Sequence, residues 1–149
     1  MNNPFEYALE NLYGITEIKG EKDNPLIMKM YHEIGQQWVE HDEVAWCAAA
    51  HSWIHKQCGF DYTGKLNARS WENFGHELRP PIEKPYLGCT VVFWRISPTS
   101  GYGHVGFFVR EDGDYIWVLG GNQSNQYNIS RYKKNQVLSY REIPKKQIT

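Results

Sequence analysis

Three residues in this sequence have side chains that could together carry out acyl-transfer chemistry: Cys47, His104 and Asn122. A thiol attacks a carbonyl only as the thiolate, and a free cysteine has a pKa of about 8.5. Cys47 stands in Val44-Ala45-Trp46-Cys47-Ala48-Ala49-Ala50, an alanine-rich run that favours helix. A cysteine in the first turn of a helix sits among backbone N–H groups that favour the anion and can hold a developing oxyanion. A nucleophilic thiol also needs an imidazole to take its proton and later protonate the leaving amine. His104, in Gly103-His104-Val105-Gly106-Phe107, is placed at a strand start where flanking glycines allow close approach. A third polar group should orient the ring. Asn122, at the end of the next strand in Leu119-Gly120-Gly121-Asn122-Gln123, can accept from an imidazole N–H. Gln123 is the reserve for that role.

The same helix offers a rival chemistry. Cys47, His51 and His55 follow at i, i+4 and i+8, a spacing that puts three zinc-ligating side chains on one face. The simpler expectation is that His51 and His55 lie on the surface, and no metal or cofactor is assigned. Asp42 and Glu43 precede the helix and suit its N-cap. Tyr102, beside the histidine, and Trp46, beside the cysteine, are candidates for substrate contact, although tryptophans such as Trp38, Trp46, Trp53, Trp94 and Trp117 are more often core.

The elements that must position these groups divide the chain in two. Helical signals dominate residues 1–76. Asn3 to Tyr13 predicts a helix with Pro4 in its first turn and Gly14 as its stop. Asn24-Pro25 opens a second, with Leu26, Met30 and Ile34 on one stripe. The cysteine helix runs to Cys58 and stops at Gly59, and a short helix follows at Ser70 to Phe74. Residues 88–143 read as strands: Thr90 to Ile96, Val105 to Arg110, Tyr115 to Leu119, Asn128 to Tyr132 and Val137 to Ile143, with Asp112-Gly113 as a hairpin turn. The fold class is α+β, helices packed on an antiparallel sheet of about five strands.

Composition bounds the rest. A chain of 149 residues is one domain, taken as 1–149, and 41% hydrophobic residues can build its core. No apolar run approaches the ~18 residues of a membrane span. The net charge of -1 argues against nucleic acid as the main partner. Acids concentrate in residues 1–43 and basic residues in 131–149, where a basic tail could hold an anionic polymer or simply be solvated. Three cysteines, Cys47, Cys58 and Cys89, do not suggest a disulfide framework. The N-terminus lacks the basic start and apolar stretch of a signal peptide, which implies synthesis in the cytoplasm.

Five segments in order carry a family resemblance: Trp46-Cys47-Ala48-Ala49, Ala68-Arg69-Ser70-Trp71, Val91-Val92-Phe93, Gly103-His104-Val105-Gly106-Phe107 and Leu119-Gly120-Gly121-Asn122-Gln123. With Asn128-Ile129-Ser130-Arg131-Tyr132 and Val137-Leu138-Ser139-Tyr140-Arg141, the chain resembles the phage and prophage branch of the NlpC/CHAP cysteine peptidases from about Asn24 to Ile143. One departure is Cys89, where relatives usually carry aspartate before the Val-Val-Phe strand.

The resemblance implies a papain-like core, metal-free cleavage of peptidoglycan amides, Cys47 as nucleophile, His104 as base and Asn122 as third group. Arg69, Ser70, Trp46, Tyr102 and Gln123 become candidate substrate contacts, with Arg69 reading a stem-peptide carboxylate. It also implies action on the cell wall or periplasm after holin-dependent release as an endolysin, or after delivery as an antibacterial effector checked by an immunity protein. A non-catalytic wall-binding or phage structural module of the same fold, and an acyltransferase with an amine replacing water, stay open as alternatives.

Overall fold

The computed structural model describes residues 3–17, 24–40 and 46–147. Two helices open the chain, α1 (Pro4–Asn11) and α2 (Pro25–Glu33). Each has proline in its first turn and an asparagine N-cap, Asn3 or Asn24, whose side chain accepts from two backbone N–H groups. The buried stripe of α2 and its C-cap is Ile27, Met30, Tyr31 and Ile34; Met30 and Ile34 are buried as expected, while Leu26 is only half-buried. Helix α3 (Cys47–Gln57) begins on the cysteine itself, and its N-cap, Trp46, supplies no side-chain hydrogen bond. The expected caps Asp42 and Glu43 lie outside the described residues. In place of the short helix at Ser70 to Phe74, a 3-10 turn occupies Ala68–Trp71.

Six strands follow: β1 (His76–Leu78), β2 (Thr90–Trp94), β3 (Gly103–Asp112), β4 (Tyr115–Gln123), β5 (Gln126–Lys133) and β6 (Val137–Glu142). They form one sheet in the order β1-β6-β2-β3-β4-β5, every neighbouring pair antiparallel. The fold is thus α+β, as expected, with one strand more than expected. β1 was missed because three residues are too few to show a period. The hairpin turn also moves by one: Asp112 pairs with Tyr115, so Gly113 and Asp114 make the turn, and Gly113 takes the positive φ of 61°.

Helix α3 lies at the centre of the packing. Ala48, Ala49 and Ala50 are wholly buried, and their small side chains bring the helix close to β3 and β4. Trp46 is wholly buried beside Tyr127, 6.5 Å between ring centres. Phe107 and Leu119 face this helical layer from the sheet. A second cluster, including Val91, Phe93, Phe108 and Val118, fills the other side.

His51 and His55 correct the expectation that they are surface residues. Each is 2% exposed, between α3 and the sheet. His51 Nε2 is 2.8 Å from Thr90 Oγ1, and His55 Nδ1–H donates to the His51 carbonyl at 2.7 Å. The two rings pack on Phe107 and Trp71. Burial holds the pKa of His51 well below its ordinary value and that of His55 at about 4, so both are neutral imidazoles. The tryptophan expectation also holds only in part: Trp94 and Trp117 are half-buried, and Trp38 is exposed, with Nε1–H donating to Gln36.

Candidate active site

The start of α3 and the facing ends of β3 and β4 enclose a cavity of about 250 Å³. Cys47, His104, Asn122 and Gln123 all line it, together with Arg95 and Tyr132. Residues 57 positions apart in the chain are therefore joined by the fold into one compartment.

Cys47 enters from the first residue of α3 and packs beside Val92 and Val105. Its side chain is nearly buried, and desolvation raises the thiol pKa. Opposing that rise, the backbone at Val105 and Ala48 and the Arg95 cation favour the thiolate. Burial wins, so the resting group is a thiol.

His104 enters from β3, is 4% exposed and stacks on Tyr132 at 4.7 Å. Desolvation lowers its pKa to about 4, a hydrogen bond to Gln123 opposes the change, and Arg95 adds to it. The ring is therefore neutral at ordinary pH.

The amide that contacts the imidazole is that of Gln123, the reserve candidate, and not that of Asn122. His104 Nε2–H donates to Gln123 Oε1 at 2.8 Å. The amide cannot be turned round, because Gln123 Nε2 donates to Val118 O at 3.2 Å, Asn128 O at 2.7 Å and Asn128 Oδ1 at 2.9 Å. All three partners are acceptors, so Oε1 must face the imidazole, and the imidazole must carry its proton on Nε2. Nδ1 is left with the lone pair.

A β-bulge decides between the two neighbours. Continuing the β3–β4 register from Phe107↔Leu119 would set Asn122 opposite His104. The β4–β5 register shifts by one between Gly120 and Gln123, where Asn122 adopts a φ of 57°. The extra residue carries Gln123 onto the face that simple alternation gives to Asn122. Asn122 still lines the cavity but lacks the imidazole contact. Gly120 leaves room for the pair: a Cβ there would stand 2.9 Å from Gln123 Oε1 and 3.3 Å from His104 Nε2.

The expected substrate contacts fare differently. Trp46 belongs to the core and is inaccessible. Ser70 Oγ pairs with Thr63 Oγ1 at 2.9 Å instead of lining the cavity. Arg69 is consumed structurally: it donates to the carbonyls of Ser100 (2.6 Å), Tyr102 (3.2 Å) and Pro98 (3.0 Å), and pairs with Glu72 at 2.9 Å. It staples the β2–β3 loop instead of reading a carboxylate. Gly103 permits this, since a Cβ there would meet Arg69 Cδ at 2.8 Å. Tyr102 is 65% exposed on that loop, outside the cavity lining. Arg95 and Tyr132 are lining side chains that the sequence does not single out; an arginine just past a strand end carries no motif of its own.

Among the described residues, no group of His, Cys, Asp and Glu is arranged to hold a metal ion. The zinc arrangement of Cys47, His51 and His55 fails on geometry, because both imidazoles are held inside the core while the thiol faces the cavity. All three cysteines are free and buried. Cys89 is buried at the start of the sheet, its carbonyl accepting from Phe108 N–H at 2.8 Å.

No curated protein and no solved structure matches the chain. A family model, that of the CHAP domain, matches residues 39–122, which is more than half of the chain. The match includes Cys47 and His104 and ends one residue before Gln123.

Proposed function

The chain belongs to the CHAP domain family, which suggests cysteine hydrolase or amidase activity on peptidoglycan-like substrates, and from that premise we propose that it cuts an amide bond in the stem peptide or cross-link of peptidoglycan. Cys47 is the nucleophile, His104 the base and Gln123 the group that holds the base. The observation that carries this reading is the common cavity of thiol and imidazole, with the ring's far nitrogen fixed by an amide that cannot flip.

The chemistry follows from that arrangement. His104 Nδ1 takes the Cys47 proton as sulfur attacks the carbonyl, because both groups start neutral. Backbone N–H groups at the start of α3 face the developing oxyanion. The imidazolium gives its proton to the departing amine; the neutral imidazole then takes a proton from the attacking water and returns it to sulfur as the acyl group leaves as a carboxylic acid. Gln123 accepts from Nε2 throughout and keeps Nδ1 aimed at the cavity. Release as an endolysin, or delivery as an antibacterial effector with an immunity protein, supplies the route to the wall in this proposal.

Purified sacculi test it. The intact chain releases new amino groups, Cys47→Ala releases none while keeping its fold, and His104→Ala nearly none. Mass spectrometry of the digest identifies the bond. Co-sedimentation with sacculi and no release of amines by the intact chain would assign a wall-binding module instead.

A further inference from the structure

Among the described residues, Arg95 is the one cationic side chain that lines the Cys47–His104 cavity, and none of them lines it with a carboxylate. Among the described residues no carboxylate pairs with its guanidinium. Its charge nevertheless reaches both working groups, favouring the thiolate of Cys47 and opposing protonation of His104. The Arg95 side chain is exposed at the rim of the cavity, on a backbone held by hydrogen bonds. Arg95 N–H donates to Tyr102 O at 3.1 Å, and its carbonyl accepts from Ser97 N–H at 2.8 Å and from Ser100 Oγ. The next residue, Ile96, holds a φ of 71°, a left-handed conformation that a β-branched side chain adopts only where its surroundings impose it. Arg69 ties the same loop through its bonds to the carbonyls of Pro98, Ser100 and Tyr102.

We propose that Arg95 reads substrate charge: its guanidinium grips a free carboxylate of the peptide lying in the cavity, so that the enzyme selects amides flanked by an ionised carboxyl group over their carboxamide counterparts. The inference rests on the hydrolytic reading of the cavity and adds the substrate class. A planar guanidinium offers paired N–H donors matched to a carboxylate, and no described residue of the lining is a carboxylate that competes for it. A carboxamide presents an N–H₂ group to the same donors and loses the charge attraction.

The test uses soluble disaccharide-peptides released from sacculi, half of them converted to carboxamides with a carbodiimide and ammonia. The intact chain should show a KM about tenfold to a hundredfold lower for the native peptides, the range expected of a hydrogen bond to a charged group. Arg95→Gln should raise KM on native peptides to the level of the amidated ones, with kcat changed far less. Arg95→Lys should keep part of the preference, since it keeps charge but loses the fork. An intact chain indifferent to amidation, or an Arg95→Gln chain that still prefers carboxylates, overturns the assignment while leaving the hydrolase standing. Should nothing be cleaved, the hydrolase reading is lost. Calorimetry on Cys47→Ala then decides Arg95 separately: tighter binding of native than of amidated peptide, abolished in Cys47→Ala/Arg95→Gln, upholds it, and equal binding overturns it.

Discussion

Gln123 Oε1 lies 2.8 Å from His104 Nε2, and the donors on the same amide are all engaged by Val118 and Asn128. That one contact fixes the tautomer of the base. Removing it should misalign the ring without removing the ring. We expect Gln123→Ala to lower kcat by about 100-fold, the size of effect a small misplacement of a catalytic group produces. Asn122→Ala should stay within a few-fold of the intact chain. Steady-state kinetics on a soluble muropeptide separates the two, and equal losses would count against Gln123 as the orienting group.

Gly120→Ala tests the same pair from the backbone side. The added methyl would crowd Gln123 Oε1 and His104 Nε2 together. Overpacking of this kind costs roughly 1–3 kcal/mol. We expect a lowered denaturation midpoint and a loss of kcat approaching that of Gln123→Ala. The Nε2–H proton resonance of His104, visible when that proton is bonded and buried, should shift or vanish. An unchanged resonance with unchanged kcat would mean the amide tolerates displacement.

The pH response follows from burial. His104 has a pKa lowered to about 4, so the base is lost only as pH falls through that value. The acid limb of kcat/KM should lie near pH 4 to 5, well below the ordinary histidine range. The Cys47 thiol is raised by burial, so alkylation by iodoacetamide should keep accelerating beyond pH 8 with no plateau at neutral pH. A neutral plateau would show a preformed thiolate–imidazolium pair instead.

Stability should be acid-sensitive for a related reason. His51, His55 and His104 are buried as neutral rings. Their folded pKa values lie below the unfolded value of 6.5, so the unfolded chain binds protons first as the pH falls. The stability is complete above about pH 6.5 and is lost progressively toward pH 4, by on the order of 3 kcal/mol for each ring held at about 4. Urea midpoints measured from pH 7.5 to 4.5 should fall steeply, and His55→Phe should flatten the slope. A flat profile in the intact chain would refute the neutral burial.

Much of this was legible in the sequence because the signals are local. Prolines and asparagines marked the starts of α1 and α2, and alternating β-rich runs marked five of the six strands. The cavity pairing of Cys47 with His104 followed from a helix-borne thiol and a strand-borne imidazole. What failed depended on distant partners. His51 and His55 look polar in sequence, yet Thr90 and a carbonyl satisfy them inside the core. Arg69 looks like a free cation until three loop carbonyls close on it. The choice between Asn122 and Gln123 turned on one bulged residue, which no period of two can reveal.

That bulge bears on how related chains should be compared. Straightening β4 by dropping one residue between Gly120 and Gln123 would restore plain pairing with β5 and still leave the glutamine on the inward side. Length at this spot is therefore free to vary by one while the geometry around the imidazole is kept. An ungapped comparison would then set this glutamine against a neighbour's turn residue, and the two equivalent amides would pass for unrelated positions.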